Sequence, residues 1–311
     1  MTTVYALIKE ESAQFPVSEL CRALQVSRSS YYDWAAGRSH QPETELATRI
    51  EEVFWRHSRR YGGRRVRAEL RAEGLAVGRD RVRRVMREEG LRAIQPRSFV
   101  PRTTDSRHGQ RTSPNLLLGR QPASRPNEVV VGDITYLPLQ TGVFAYLATW
   151  LDLYSRMIVG WQVADEMTDE LIINAMKKAI TRRKPEAGLI VHSDRGGQYV
   201  SGEFRRLLAE HGYLQSMSRA DDAYDNAFAE SLFSRYKAEL LEGGAFADLE
   251  EAGLETFNYI ECYYNRVRRH SALSYRSPED FEREYYRKLE ESSTNHQEKE
   301  YELSNFSVRQ N

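Results

Sequence analysis

The stretch Leu189-Ile-Val-His-Ser-Asp194-Arg-Gly-Gly-Gln198 sets the frame for the rest of the chain. An apolar run that ends in Ser-Asp and two glycines predicts a buried strand with an acid at its carboxyl end. In open α/β sheets, ligands sit at that end of the strands. Working outward, a helix is expected upstream from Thr168 to Arg183. Downstream come a helix around 201–211, a short strand at Leu214–Ser218 and a long helix from Tyr224 to Leu241. Further upstream, Val129-Val-Val-Gly-Asp-Ile-Thr-Tyr-Leu137, Phe144–Asp152 and Met157–Val163 read as three strands. Three antiparallel strands followed by alternating helices and strands predict a mixed α/β sheet spanning about residues 128–285.

Three acids stand out in this region. Asp133 lies mid-strand among apolar neighbours, a costly place for a charge that binds nothing. Asp194 closes its strand, and Glu230 sits on the long helix, four residues after Asn226 and on the same face. If the fold gathers them, they offer hard oxygen ligands to two Mg²⁺ or Mn²⁺ ions. Such a pair activates the attacking oxygen and stabilises the leaving oxygen of a phosphoryl displacement. Taken singly, each acid has an ordinary structural explanation in a turn or on a solvated helix. Lys237 follows Glu230 by seven residues on one helix face, where contact with a DNA phosphate and an ordinary surface lysine fit equally. Gln198 and Tyr199 follow the second Asp, where either DNA contact or packing fits.

The N-terminal part has a different chemistry. The chain is neutral overall, yet residues 49–125 hold 20 Arg and no Lys against 8 Asp and Glu, a net +12. An arginine-rich third attached to an acidic remainder points to a polyanion partner. Residues 1–40 read as a helix-turn-helix-like module. Ser18 is expected to cap its first helix, with Leu20, Ala23 and Leu24 inward, and Ser27 to cap the next. Residues 44–93 read as a second such module. Val82, Val85 and Met86 face inward on its last helix, and Arg79, Arg81, Arg83, Arg84 and Arg87 ring the outside. Those arginines, with Arg64 and Arg65, suit phosphate contact or guanine reading. Residues 94–127, punctuated by Pro96, Pro101, Pro114, Pro122 and Pro126, are expected to be a linker. The polar tail, 286–311, is expected to be disordered.

Several ordered motifs bring these parts together. His192-Ser-Asp-Arg-Gly-Gly-Gln-Tyr199, Tyr224-Asp-Asn-Ala-Phe-Ala-Glu-Ser231, Tyr264-Asn-Arg-Val-Arg-Arg-His-Ser-Ala-Leu273 and Ser277-Pro-Glu-Asp-Phe281 resemble the insertion-sequence transposases of the IS-three family. The 35 residues between Asp194 and Glu230 fit that resemblance, as do Val26-Ser-Arg-Ser-Ser-Tyr-Tyr32 and Tyr61-Gly-Gly-Arg-Arg-Val66. The resemblance implies an RNase H-like integrase catalytic core with Asp133, Asp194 and Glu230 as catalytic, metal-holding residues. It also implies the second-frame catalytic subunit, partnered by the first-frame product and oligomeric on DNA. Asn226 is given an active-site or DNA-contacting role, with capping of the helix as the alternative. The basic cluster Arg266, Arg268, Arg269 and His270 reads as a DNA contact. The chain departs from the family pattern at Ala220-Asp-Asp-Ala, where relatives carry a Gly-Asn-bearing loop.

Two other classes fit part of this pattern: a DNA-binding regulator with a silent core, and a structure-specific nuclease on the same fold. The remaining signals exclude more than they assign. No apolar run approaches the roughly 18 residues of a membrane span, and the N-terminus lacks a signal-peptide layout; a cytoplasmic setting is expected. Two distant cysteines, Cys21 and Cys262, exclude a disulfide framework and are both expected to be buried and inert.

Overall fold

The structure, a computed structural model, describes residues 2–36, 41–95, 112–219 and 227–308. It divides into two compact units, 1–94 and 95–311.

The first unit is helical. Helices α1 (Thr2–Glu11), α2 (Val17–Ala23) and α3 (Arg28–Ala35) close around Ile8, Cys21 and Tyr31. Gln25 takes a left-handed conformation in the turn between α2 and α3. The expected caps differ from what forms. Pro16, not Ser18, precedes α2, and Ser27 occupies the cap of α3 without bonding its backbone. The Ser27 hydroxyl pairs with Ser29 Oγ at 2.7 Å instead. Cys21 is buried, whereas Ala23 and Leu24 are exposed. Helices α4 (Gln41–Arg56), α5 (Gly63–Ala72) and α6 (Arg79–Glu88) form a second group. Apolar residues at helical spacing bury Ile50, Val53, Val66, Leu70, Val82, Val85 and Met86. Glu73 ties the group together, accepting from Arg49 at 2.9 Å and Arg56 at 2.6 Å. The Arg56 hydrogen bond leads the effects that hold its carboxyl below the usual range.

The second unit is built on a five-stranded sheet of order β3-β2-β1-β4-β5. Its strands are β1 (Val129–Pro138), β2 (Phe144–Asp152), β3 (Ile158–Ala164), β4 (Ile190–Ser193) and β5 (Leu214–Met217). The first three are antiparallel; β4 pairs parallel to β1, and β5 parallel to β4. One face carries α7 (Asp169–Arg183) and α8 (Gly202–Glu210), packed on Val130, Trp150, Val159 and Val191. The other carries α9 (Ala227–Leu241) and α10 (Leu249–Phe257), packed on Leu137, Leu147, Leu151 and Ile158. Sheet alternation fixes this division, because odd residues of β1 and β2 face α9 and even ones face α7.

Beyond α10 a π-helical segment, Asn258–Tyr264, leads to α11 (Pro278–Val308). The tail expected to be disordered is therefore helical as far as Val308. Its acidic residues are interleaved with basic ones at helical spacing, as in Lys288–Glu284 at 2.6 Å and Arg287–Glu291 at 2.5 Å. The start of α11 is anchored where Arg183 donates to both oxygens of Glu282, at 2.6 and 2.8 Å. Residues 112–127, read as linker from their prolines, belong to this unit. Met217 N–H donates to Pro114 O at 3.3 Å, and Ser113 Oγ donates to Gln215 at 2.7 Å. These contacts line the free edge of β5, where unpaired backbone would otherwise remain. Residues 96–111 of that stretch lie outside the described residues. Cys262 is exposed, against expectation.

Two glycines inside strands answer to packing. Gly132 lets the ring of Trp150 lie on β1, and Gly160 lets α7 approach until the Ala175 carbonyl and Ala179 fill the space. A methyl group at position 160 would meet that backbone, which cannot rotate aside. Gly160→Ala is expected to cost about 3 kcal/mol, the upper part of the range for overpacked cores. Chemical denaturation reads this directly, and an unchanged midpoint would contradict the tight β3–α7 packing.

Candidate active site

The β1–β4 register builds the centre of the site. Val131 pairs with His192, so Asp133 and Asp194, each two residues further along, reach the same level on adjacent strands. Asp133 shares the face of Leu137, the α9 face. Carried one residue past the end of β4, the alternation places Asp194 on that face too, because Val191 packs on the opposite one. Neighbouring strands lie about 4.8 Å apart, so the fold makes neighbours of two carboxylates separated by 60 residues.

Local sequence holds each acid in place. Asp133 Oδ1 accepts the N–H of Ile134 at 2.8 Å. Asp194 Oδ1 accepts the N–H of Gly196 at 2.9 Å, folding the Arg-Gly-Gly segment back over the carboxylate. A side chain at Gly196 would begin 3.1 Å from that oxygen, which accounts for the glycine there. Arg195 Nε donates to Ser218 O at 2.8 Å and ties the turn to the end of β5. Gln198 Nε2 donates to Met167 O at 3.2 Å.

Tyr199 packs on the other face of the sheet, with its ring buried against Trp150 and Phe204 in the core under α7 and α8. Burial above all, with the Asp133 and Asp194 charges added, raises its phenol well above the usual range. The buried Tyr199 hydroxyl has no hydrogen-bond partner among the described residues, nor has that of Thr149, which pairs with Asp133 across the β1–β2 ladder. The two carboxylates offer oxygen ligands only, the type that suits Mg²⁺ or Mn²⁺ rather than a thiolate- or imidazole-seeking metal.

The third position of the trio lies on α9. The backbone of Glu230 is in this helix, which packs on the carboxylate-bearing face through Leu232, Phe233 and Tyr236. Its side chain, Asn226 and the Ala220–Asp222 loop lie outside the described residues. Among the described residues no group of three acids, histidines or cysteines gathers. Lys237, seven residues along, is half-buried. Burial lowers its pKa and the Asp133 charge opposes that shift, so the two side chains are electrostatic neighbours.

The remaining candidates are distributed elsewhere. Arg64, Arg81 and Arg84 are exposed on α5 and α6, while half-buried Arg65 lies over the Tyr61 ring at 5.7 Å. In the C-terminal basic cluster, only Arg266 is exposed. Arg268 is buried and bonds Glu239 through Nε at 2.9 Å and Nη2 at 2.5 Å. Arg269 donates to Tyr275 O at 2.8 Å, and the His270 ring packs on Tyr264 at 4.8 Å. Sequence reasoning missed Glu239, an acid in a mixed helix with no local signal of a distant partner.

Comparison with known proteins gives this arrangement a family. Residues 41–99 match the model of an HTH-like domain, and residues 123–223 and 211–278 match models of an integrase core domain. The transposase InsF of insertion sequence IS3A from Escherichia coli (strain K12) is 40% identical over 288 residues, covering 89% of this chain and 98% of that protein. An uncharacterized 31 kDa protein of insertion element IS600 from Shigella sonnei is 39% identical over 273 residues, 86% and 98% of the two chains. The HTLV-2 integrase catalytic core domain in complex with magnesium is similar at 17% identity, over 51% of this chain and 97% of that one, with a TM-score of 0.37. The chain belongs to the IS3-family transposases, polynucleotidyl transferases that move DNA through an integrase-type catalytic domain. Its core is the mixed α/β, RNase H-like one read from the sequence, preceded by N-terminal helices of which residues 41–99 match the HTH-like model. No helix among the described residues is long and apolar enough to cross a membrane.

The link between Lys237 and Asp133 can be measured without any reaction. Asp133→Asn removes the charge that holds the Lys237 pKa up, so that pKa is expected to fall further. NMR titration of the isotopically methylated lysine reads the shift, and an unmoved titration would separate the two residues.

Proposed function

We propose that Asp133, Asp194 and Glu230 form a DDE active site that holds two Mg²⁺ or Mn²⁺ ions and carries out strand cleavage and strand transfer at the ends of an insertion sequence. The observation that carries this reading is the in-register placement of Asp133 and Asp194 on one sheet face, with α9 lying across it. Divalent ions bound there supply electrostatic stabilisation to the attacking and leaving oxygens of an in-line phosphodiester displacement. The chain's own residues do the rest. The turn Asp194–Gly196 fixes the direction of the second carboxylate. Lys237, beside Asp133, offers its ammonium to a DNA phosphate, and Asn226 is assigned to the same site.

The first unit supplies the grip on DNA. Arg64, Arg65, Arg81 and Arg84 are assigned to phosphates or base edges of the terminal repeats, with α6 as the reading helix. Asp80 lies 3.5 Å from Arg79 and 3.8 Å from Arg83, so part of the arginine ring is already partnered within the helix. Arg269 and His270 are assigned only a supporting contact, since the C-terminal loop engages both. The working assembly in this reading is an oligomer of the chain on terminal-repeat and target DNA in the cytoplasm. It is the second-frame subunit, joined by the first-frame product of its element.

Loss of one carboxylate forfeits several kcal/mol of transition-state stabilisation, or about 10³-fold in rate at about 1.4 kcal/mol per decade. Asp133→Asn, Asp194→Asn and Glu230→Gln are each expected to show that loss in cleavage of terminal-repeat oligonucleotides, with DNA binding retained. Full activity of Glu230→Gln would remove that residue from the site, and firm binding by the parent with no metal-dependent cleavage would favour a regulator. Separately, Arg81→Ala with Arg84→Ala is expected to weaken binding and to flatten its salt dependence. The log–log slope should fall by about one unit for each phosphate that the arginines had neutralised. Fluorescence anisotropy across a salt series checks this, and an unchanged slope would take α6 off the DNA backbone.

A further inference from the structure

The segment Tyr264-Asn-Arg-Val-Arg-Arg-His270 looks in sequence like a basic surface, but its central arginine is almost fully buried. Arg268 forms a two-pronged ion pair with Glu239, which is equally buried, and the Tyr259 hydroxyl donates to Glu239 Oε2 at 2.9 Å. Burial above all keeps the Tyr259 phenol protonated and thus a donor. Three polar groups in the core of an enzyme, none of them near the DNA-facing arginines of α6 in sequence, need a reason beyond stability. Apolar residues of similar volume usually serve stability as well or better.

The positions along α9 supply that reason. At about 100° per residue, Glu239 stands about half a turn around the helix from Glu230, and Lys237 stands almost in line with Glu230. The apolar stripe of Leu232, Phe233, Tyr236 and Leu240 runs between these two edges. Apolar contact is non-directional and leaves the helix free to roll by small angles over the sheet. A two-pronged guanidinium–carboxylate pair has a fixed geometry, and it grips the edge opposite Glu230. The arginine is in turn fixed to the sheet. Asn265, three residues before it, donates to Ile158 O and accepts from Ile158 N–H on β3, both at 3.0 Å, and Asn265 O accepts from Glu279 N–H. The backbone N–H groups of Val267 and Arg268 both donate to Tyr263 O at 2.8 Å. A continuous path of directional bonds thus runs from the sheet that carries Asp133 and Asp194 to the helix that carries Glu230.

We propose that Arg268, Glu239 and Tyr259 are positioning residues: a buried lock that sets the roll of α9, and with it the direction in which position 230 faces Asp133 and Asp194. The proposal rests on the DDE reading above, and its test separates the two. The probe is Mg²⁺ alone, read as the rise in Tm of the full-length protein with Mg²⁺ concentration. Arg268→Lys keeps the charge but loses the two-pronged geometry, and Glu239→Met with Arg268→Met keeps the volume and removes the charges. In both variants the half-saturating Mg²⁺ concentration is expected to rise about tenfold, the scale on which removing the groups that orient its ligands weakens a metal site. Affinity for a random-sequence DNA duplex should stay within about twofold, because the arginines of α5 and α6 are untouched.

A folded variant with an unmoved Mg²⁺ half-saturation overturns the lock. Should the methionine pair fail to fold, Arg268→Lys decides by the same criterion. Failure of both to fold also overturns it, since the triad would then be a stability element. Glu230→Gln in the parent marks the other branch. If that variant keeps the full Mg²⁺ response, the DDE reading fails, whatever Arg268→Lys does.

Discussion

The placement of Asp133 beside Asp194 depends on the short parallel pairing of β1 with β4, three residue pairs from Val129–Ile190 to Val131–His192. Parallel strands need a long crossover, and here that crossover includes β2, β3 and α7. A slip of one residue in this ladder would turn one carboxylate to the opposite face. The register is held from both sides. Val130 and Val191 are sealed under α7 and α8, while buried His192 bonds Ser216 Oγ on β5 at 2.8 Å. Ser216 Oγ in turn accepts the N–H of Leu116, so residues before β1 help hold the far edge of the sheet.

The same pairing explains how much of the fold was legible in the sequence. Strands with runs such as Val129–Val131 or Ile190–His192 announce themselves through apolar continuity, because they are covered on both faces. The observed strands and helices of the core lie close to their expected ranges for that reason. Asp133 and Asp194 were legible as exceptions to that continuity, acids where packing alone gives no place for them. What the sequence pattern concealed is long-range. The prolines of 112–127 suggested a tether, yet that stretch pairs with β5 through contacts about a hundred residues away in the chain. The polar tail lacked an apolar stripe, yet a helix needs none where charges alternate at its own spacing and its first turns are pinned by Arg183 and Tyr154. Cap assignments failed for a smaller reason: Ser18 lies inside the helix, just past the proline that starts it.

Arginine shows the same limit in sharper form. Charge counting treats all arginines between residues 49 and 125 as one polyanion-seeking set, and for the outer face of α6 the exposure is there to support it. In the core the same side chain does the opposite. Arg183 is bonded to Glu282 through both terminal nitrogens, and Arg268 to Glu239 through two of its nitrogens. Guanidinium serves both ends because it stays charged under nearly all conditions and presents a rigid fork. In water that fork meets phosphate; inside the protein it orients a carboxylate and the helix behind it.

That division has a consequence for α9. A site shared by two strands and a helix asks more of the helix, since strand positions are fixed by ladder bonds at each residue, whereas α9 touches the sheet only through side chains. Leucine and phenylalanine set its distance from β1 and β2 without setting its roll. Directional polar contacts have to do that, and they stay rigid only where water cannot compete for them. Tyr236 to Thr256 at 2.5 Å and Glu239 to Arg268 and Tyr259 are such contacts, all buried. Tyr236 and Glu239 are thus directional anchors on a helix whose orientation the apolar packing leaves least determined.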